Sequence, residues 1–283
     1  MSVSADLVIP AWTQRELAEI CSWDAIRPAT FAASEFPVDV VRFEGSPSRP
    51  LVLSRGKRGE SLKALPATLR TRAQTAFEKA SRRPVSIRLP RGRRLDLSAG
   101  PVVMGIINVT PDSFSDAGVH FETGRAVESA LRMFGEGAAI VDVGGESTRP
   151  RNYGEAAELP ADEEIGRVLP VIEGIRRSSD RPVSVDTRKS AVARVALEAG
   201  ADLVNDVSAF RFDPEMARVA GAAGAGAILM HMKGLDPIRM QEDISYAHPL
   251  ADVASSLAAA AAAALESGLP EDALAVDPGF GVG

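Results

Sequence analysis

The sequence predicts an α/β fold of the (β/α)8 barrel type, represented by about six β/α units, with a small α/β extension and a β-hairpin ahead of the first unit. Three observations predict it. From Val102 onward, short apolar runs alternate with helical stretches of about ten or more residues, the pattern of βαβ units on a parallel sheet. Gly137-Ala138, Gly200-Ala201, Gly224-Ala225 and Gly268-Leu269 recur just ahead of the runs, where the glycines that end helices belong. Each run then gives way to polar residues at its C-terminal end. No dinucleotide fingerprint competes with this reading. Gly221–Gly226 precedes a strand rather than following one, and no helix comes after Gly279–Gly283.

The elements follow in order. Residues 1–84 form an extension of unassigned role, and residues 85–283 form the barrel region. In the extension, Thr13-Gln14-Arg15-Glu16 is a capping-box pattern ahead of Leu17 and Ile20. Val38–Phe43 and Leu51–Leu53 read as strands. Leu62, Leu65, Leu69, Ala73 and Phe77 have helical spacing over 62–80, interrupted by Pro66. The stretch from Arg55 to Arg94 is strongly basic. Phe77 is its single aromatic residue, so no set of aromatics interleaves for base stacking, and it reads as a solvated face rather than a nucleic-acid patch.

Val85–Leu97 holds two short runs around Pro90-Arg91-Gly92, a hairpin placed to close the N-terminal end of a barrel. The expected strands are Val102–Ile107, Ala139–Val143, Pro182–Val185, Leu203–Val204, Ala227–Met230 and Ala273–Val276. Helices are expected over Arg125–Gly137, Asp162–Arg177, Lys189–Ala199, Pro214–Ala223 and a stretch that includes Asp252–Ser267. Val102–Ile107 shows no period-2 alternation, which predicts a strand buried on both faces.

Composition sets outer limits. Of 283 residues, 45% are hydrophobic and 25% charged, ordinary for a soluble globular protein. The net charge of −6 argues against a general nucleic-acid binder. Cys21 is the single cysteine, so no internal disulfide forms, which fits a reducing compartment. The N-terminus shows no signal-peptide pattern, and the alanine-rich run around Ala258–Leu265 is too short to span a bilayer. A cytoplasmic protein without membrane contact is expected.

The polar residues at the strand ends carry the chemistry. They are Asn108; Asp142 followed by Gly144-Gly145-Glu146-Ser147-Thr148-Arg149; Asp186, Thr187 and Arg188; Asn205 and Asp206; His231 and Lys233; and Asp277. In a barrel such ends converge on one face. A single acid or amide there is commonly a helix cap; six convergent cases are not explained that way. Asp186, Asn205 and Asp277 offer carboxylates and an amide with no hydroxyl or thiol nucleophile among them, a set suited to a planar, nitrogen-rich heterocycle. Asp142, just inside its strand, reads as structural. Arg149 and the backbone at Gly144-Gly145 suit an anion. Asn108 suits Mg²⁺, which takes a few protein oxygens together with phosphate and water. His231 lies between Met230 and Met232 and reads as a core histidine. With His120 and His248 far away in sequence, no zinc spacing is present.

Met104–Gly118 (MGIINVTPDSFSDAG) and Val141–Pro150 (VDVGGESTRP) resemble the dihydropteroate synthase family, and both motifs are highly specific. Val183–Lys189, Val204–Ala209, Leu229–Met232 and Val276–Gly281 follow in the family's order and spacing, so the resemblance covers Val85 to Gly283. It implies a (β/α)8 barrel, usually a homodimer, acting in folate synthesis. The implied reaction joins p-aminobenzoate to 6-hydroxymethyl-7,8-dihydropterin diphosphate with Mg²⁺, giving 7,8-dihydropteroate and diphosphate. By motif position it assigns Asp186, Asn205 and Asp277 to the pterin, with Met230 lining the pocket. Asn108 would hold Mg²⁺ and diphosphate, and Thr148, Arg149 and Pro150 would lie on a loop near diphosphate and p-aminobenzoate. That loop would be the mobile second loop, and Thr110–Ser115 would form the first mobile loop. Asp186 and Arg149 would carry the catalytic charge stabilisation.

The sequence departs from the family pattern in several places. Gly283 falls inside the sixth-strand motif, and the lysine, Ser-Arg-Lys and Arg-x-His segments that follow in the family are absent. Roughly 180 residues follow Val102, against about 250 for a full barrel. The expectation is a C-terminally incomplete chain of weak activity by itself. Arg151 and Val282 stand where the family often has glycine and phenylalanine. Two other classes share some features. A pterin-binding methyltransferase barrel shares the fold, although the NVTPDSFSD and ESTRP stretches argue against it. A non-catalytic binding or scaffold protein would use the basic extension.

Overall fold

The computed structural model describes residues 28–31, 38–43, 51–54, 63, 67, 70–71, 86–109, 119–146, 159–234, 245–246 and 249–280. The chain divides into two compact units, Met1–Arg83 with Ala247–Ser255 and Pro84–Tyr246 with Ser256–Gly283.

In the first unit, β1 (Pro28–Phe31), β2 (Val38–Phe43) and β3 (Leu51–Ser54) form an antiparallel sheet in the order β1-β2-β3. Both strands expected in the extension are present, and β1 is an addition. The capping box at Thr13 lies outside the described residues, as does most of 62–80. Lys63, Ala67, Arg70 and Thr71 are helical, and the Thr71 hydroxyl donates to the Ala67 carbonyl oxygen at 3.1 Å.

The second unit opens with the expected hairpin. Strands β4 (Ser86–Arg88) and β5 (Arg94–Asp96) pair antiparallel around a 3-10 turn at Pro90–Gly92. Six strands and five helices then alternate: β6 (Met104–Asn108), α1 (Val119–Gly135), β7 (Ile140–Gly144), α2 (Ala161–Arg176), β8 (Val183–Asp186), α3 (Ser190–Glu198), β9 (Leu203–Asp206), α4 (Met216–Ala223), β10 (Gly226–Met230), α5 (Pro249–Glu266) and β11 (Leu274–Asp277). All six strands pair in parallel, in the order β6-β7-β8-β9-β10-β11. That sequential order is the winding of a (β/α) barrel; a doubly wound sheet reverses direction at its switch point. Gly137, Gly200, Gly224 and Gly268 all take positive φ at the ends of their helices, the left-handed conformation that a Cβ disfavours.

The pleat sorts the strand residues between two faces. Val141, Val143, Val183, Val185, Val204, Ala227 and Leu229 face the helices and join one apolar core with Val168, Ile172, Ala193, Met216 and others. Burying each valine or leucine there contributes about 1.5–3 kcal/mol. On the opposite face, Ile140 and Leu203 pack with Leu89 and Leu95 of the hairpin, backed by Met104 and Ile228. The hairpin therefore closes the N-terminal ends of the strands with apolar side chains. This packing leaves the C-terminal ends of the same face to polar residues.

One expectation fails. The run Val102–Ile107 is not buried on both faces: Val103, just ahead of β6, is 65% and Ile106, within it, 61% exposed. Strand β6 lies at the edge of the six-stranded sheet with β7 as its one paired neighbour. An apolar run is common to central and edge strands, and only the tertiary arrangement distinguishes them. Helix α1 also starts earlier than expected, at Val119, and carries Gly124 at the modest cost that glycine imposes in a helix. No helix among the described residues is long and apolar enough to cross a membrane.

Candidate active site

Strand register gathers the predicted residues. Pairing runs Asn108 to Gly144, Gly144 to Asp186, and Asp186 to Asn205. Met230 pairs with Asp277 on the next two strands. By the alternation of side chains, Asn108, Asp186, Asn205, Met230 and Asp277 all lie on the face opposite the helices, at the C-terminal edge of the sheet. Neighbouring strands are about 4.8 Å apart, so Asp186 and Asn205 stand side by side.

Gly144 has no side chain between its neighbours. A Cβ there would lie 3.3 Å from Asp186 Oδ2 and 3.5 Å from Asn108 Oδ1. The glycine therefore opens a gap in which the β6 amide and the β8 carboxylate approach the same space. Asn108 is exposed. Among the described residues no hydrogen bond is made by its side chain, nor by the Asp186 carboxylate or Asn205 Oδ1. Asp186 is half-buried. Burial raises its pKa well above the ordinary aspartate range, and the nearby charges of Asp142, Glu164, Asp206 and Glu146 add to the rise. The site thus holds two open acceptors, one of them a carboxylate short of positive charge. A ligand that brings N–H donors or positive charge would be stabilised there.

Asp142 was read from sequence as structural, and the structure gives it a partner in the site. It is 2% exposed, and its Oδ2 accepts from Asn205 Nδ2 at 2.8 Å, across the intervening strand β8. Ser184, its register partner on β8, is small enough to let the two meet. Burial raises the Asp142 pKa, while the hydrogen bond from Asn205 opposes the rise.

Asp277 Oδ1 accepts from the Gly279 backbone N–H at 2.8 Å, and its carbonyl oxygen accepts from the His231 N–H at 2.8 Å. These bonds fix the end of β11 against β10. His231 is buried as expected for a core histidine, with Nε2 2.9 Å from the Tyr246 hydroxyl. Asp206 takes no part in the site. It points to the helix side, fully buried, and accepts from the Ser208 N–H and hydroxyl, both at 2.7 Å, and from the Phe210 N–H at 3.1 Å. It is a turn cap, and burial leads the rise in its pKa.

Sequence reasoning missed an ionic cluster at the C-terminal edge of β7 and β8. Lys189 Nζ donates to Glu146 Oε2 at 2.7 Å and to Glu164 Oε2 at 2.6 Å. Glu146 Oε1 accepts from the Leu159 N–H at 3.2 Å, and the Gly145 carbonyl oxygen accepts from Arg167 at 2.8 Å. Arg188 approaches Glu146 at 3.5 Å and stacks over Phe212, 4.1 Å from the ring centre. Lys189 stands three positions past the strand-end Asp186, and its partners Glu146 and Glu164 lie 43 and 25 residues upstream, so no local or periodic signal identifies the cluster. Thr148, Arg149 and Pro150 lie outside the described residues, as do Thr110–Ser115.

Among the described residues no group of three or more His, Cys, Asp or Glu side chains is placed to hold a metal ion. Asn108 offers one uncommitted amide oxygen. That donor set fits a cation whose remaining ligands come from a phosphorylated substrate and water, as Mg²⁺ usually takes them.

Comparison with known proteins points to one family. Residues 104–283 match the family described as pterin binding enzyme. The chain is 48% identical over 185 residues to a probable bifunctional folylpolyglutamate synthase/dihydropteroate synthase of Haloferax volcanii, covering 65% of this chain and 21% of that protein. It is 42% identical over 188 residues to a dihydropteroate synthase of Streptococcus pyogenes serotype M18, covering 66% of each. It is 43% identical over 193 residues to the Escherichia coli K12 dihydropteroate synthase, covering 68% of this chain and 66% of the enzyme. Among solved structures, the Xanthomonas albilineans dihydropteroate synthase with 4-aminobenzoic acid aligns with a TM-score of 0.61 at 43% identity, covering 70% of this chain and 68% of that one. The chain thus spans 66% of the length of the single-function curated relatives and 21% of the bifunctional one.

Proposed function

The chain belongs to the pterin-binding enzyme family, and from that premise we propose that it acts as a dihydropteroate synthase, condensing p-aminobenzoate with 6-hydroxymethyl-7,8-dihydropterin diphosphate. One observation carries the proposal: Asp186 and Asn205, paired in register, present on one polar face two acceptors that have no hydrogen-bond partner among the described residues. A pterin offers N–H donors along its aminopyrimidine edge, and each would satisfy one of them. Asp277 and Met230, paired on the next two strands, extend the same wall.

The reaction asks for electrostatics rather than a protein nucleophile. The amine nitrogen of p-aminobenzoate forms a bond to the pterin methylene carbon. The carbon–oxygen bond to diphosphate breaks with its electron pair on the leaving oxygen, and the amine gives up a proton. As that bond lengthens, positive charge spreads onto the pterin, where the Asp186 carboxylate stabilises it. Donors on the ring return Asp186 to its anionic form, reversing the effect of burial. Asn108 would supply a protein oxygen to Mg²⁺, which neutralises the diphosphate charge when bound. Arg149 is assigned to the same diphosphate by its motif position. A homodimer and a cytoplasmic setting belong to the same reading, the first on the family resemblance and the second on the lone Cys21.

Calorimetry with 6-hydroxymethylpterin, paired with a turnover assay on both substrates and Mg²⁺, tests the proposal. Pterin binding by the chain and its loss in Asp186→Ala are expected. Equal affinity in the two proteins overturns it.

A further inference from the structure

We propose that Asp142 is the positioning residue that sets which end of the Asn205 amide the ligand meets. Asp142 is 2% exposed and touches no open part of the site, so its role must pass through a neighbour. That neighbour is Asn205, whose Nδ2 donates to Asp142 Oδ2 at 2.8 Å. An ionised carboxylate only accepts, which fixes the amide nitrogen toward it; protonation of Asp142 would add a hydroxyl donor and release that constraint. The amide nitrogen therefore faces Asp142, and Oδ1 is turned to the opposite end of the planar group.

The consequence is chemical selectivity. With Oδ1 presented beside the Asp186 carboxylate, the site shows two acceptors in a row. It favours a heterocycle whose facing edge carries N–H groups and disfavours one that carries a carbonyl oxygen at an equivalent position. If the amide rotated by half a turn, Asn205 would present its N–H groups and that preference would weaken. A ligand oxygen held against a fixed acceptor with no donor between them is costly, which is how sites built on fixed polar groups discriminate between near-isosteric ligands. The fold supports the device locally. Asp142 is held rigid in the middle of β7, and Ser184 on β8 leaves the path to Asn205 open.

The inference rests on the pterin reading of the site, and its test separates the two. The full chain and its variants are titrated by calorimetry with 6-hydroxymethylpterin and with the corresponding lumazine, in which the 2-amino group is replaced by oxygen. The wild type should prefer the pterin. Asp142→Ala and the volume-filling Asp142→Leu both lack an acceptor and should reduce that preference by about tenfold, the worth of one well-made hydrogen bond. Asp142→Asn offers Asn205 both an acceptor and a donor, so it no longer fixes the amide and should give a preference between those of the wild type and Asp142→Ala. In an Asn205→Ala background the Asp142 substitutions should have no further effect on selectivity, because the group they orient is gone. A general structural loss would lower both affinities and leave their ratio alone. Unchanged selectivity in Asp142→Ala or Asp142→Leu, or additive losses with Asn205→Ala, overturns the inference while the pterin reading stands. Failure of the wild type to bind the pterin overturns the reading and the inference together.

Discussion

Lys189 Nζ lies 2.6 Å from Glu164 Oε2, and Glu164 is fully buried. Among the described residues its second carboxylate oxygen has no partner, so the lysine is what makes the buried charge tolerable. The same ammonium holds Glu146 at 2.7 Å, at the start of the segment that ends at Leu159. Replacing the cation leaves two carboxylates facing each other. Lys189→Met is expected to cost about 3–5 kcal/mol in urea denaturation at pH 7, the range for breaking a buried pair from one side. Adding Glu164→Leu should recover most of that loss, because an apolar pair of similar volume can replace a buried ion pair. A denaturation midpoint unchanged in Lys189→Met would refute the role given to the cluster.

The same cluster predicts an acid limb in stability. Burial alone would raise the Glu146 pKa, but the hydrogen bond and charge of Lys189, the Leu159 N–H and Arg188 outweigh it and hold the group below its ordinary 4.5. A depressed acid pKa stabilises the folded state above the unfolded value, and that contribution is lost as pH falls through the folded pKa. Stability should therefore drop below about pH 4.5, and the drop should be shallower in Glu146→Gln. Parallel pH profiles for the two proteins would contradict this.

Asp186 has the opposite sign. Its folded pKa is raised, first by burial and then by its acidic neighbours, so the folded state binds more protons than the unfolded one above the ordinary 3.8. Its contribution to stability falls as pH rises through the window that starts there. Asp186→Asn should accordingly melt higher than the wild type at pH 8, by more than at pH 4, while losing pterin binding. Thermal melts at both values check the first half and calorimetry the second. A melting difference that does not grow with pH would count against the assignment.

Gly279 closes the other side of the site. Its φ is +68°, and a Cβ there would come within 2.3 Å of the His231 carbonyl oxygen. Its N–H holds Asp277 Oδ1 at 2.8 Å. Gly279→Ala should move this turn, release the carboxylate and weaken pterin binding about tenfold or more, with strain of about 1–3 kcal/mol. Calorimetry alongside a thermal melt would show it; wild-type affinity in the variant would place Asp277 outside the site.

At the N-terminal ends of the strands, Asp202 is fully buried and accepts from Arg91 at 2.7 Å, from Arg176 at 2.6 Å, from Arg93 and from the Val183 N–H at 3.0 Å. Arg91 and Arg93 belong to the hairpin segment. Burial and the neighbouring arginines lower the Arg176 pKa to about 10. Asp202→Ala leaves three guanidinium groups crowded without their shared acceptor, and a loss of about 3–5 kcal/mol is expected by urea denaturation. Hydrogen exchange should show the hairpin amides opening first; a stable hairpin in the variant would refute its anchoring by Asp202.

Much of the fold was legible along the chain. Short apolar runs, helical intervals and helix-ending glycines located all six parallel strands to within about two residues. The strand-end polar pattern brought forward Asn108, Asp186, Asn205 and Asp277, because a strand that must bury its apolar length leaves its polar residues at the end. What the sequence could not distinguish was which of two adjacent polar residues enters the site. Asn205 and Asp206 look equivalent in a row, yet the pleat sends one to the polar face and the other to a turn on the helix side. Asp142 and Lys189 were hidden for a related reason. Their partners, Asn205 and Glu164, come from distant elements that meet only after the strands have paired and α2 has packed on them. The edge position of β6 was hidden in the same way, since an apolar run shows that burial is available and only the neighbouring strands decide whether it is realised. The chain's local chemistry thus determined the elements and the polar character of their ends, while register and packing, which depend on residues far apart in sequence, decided which groups face one another.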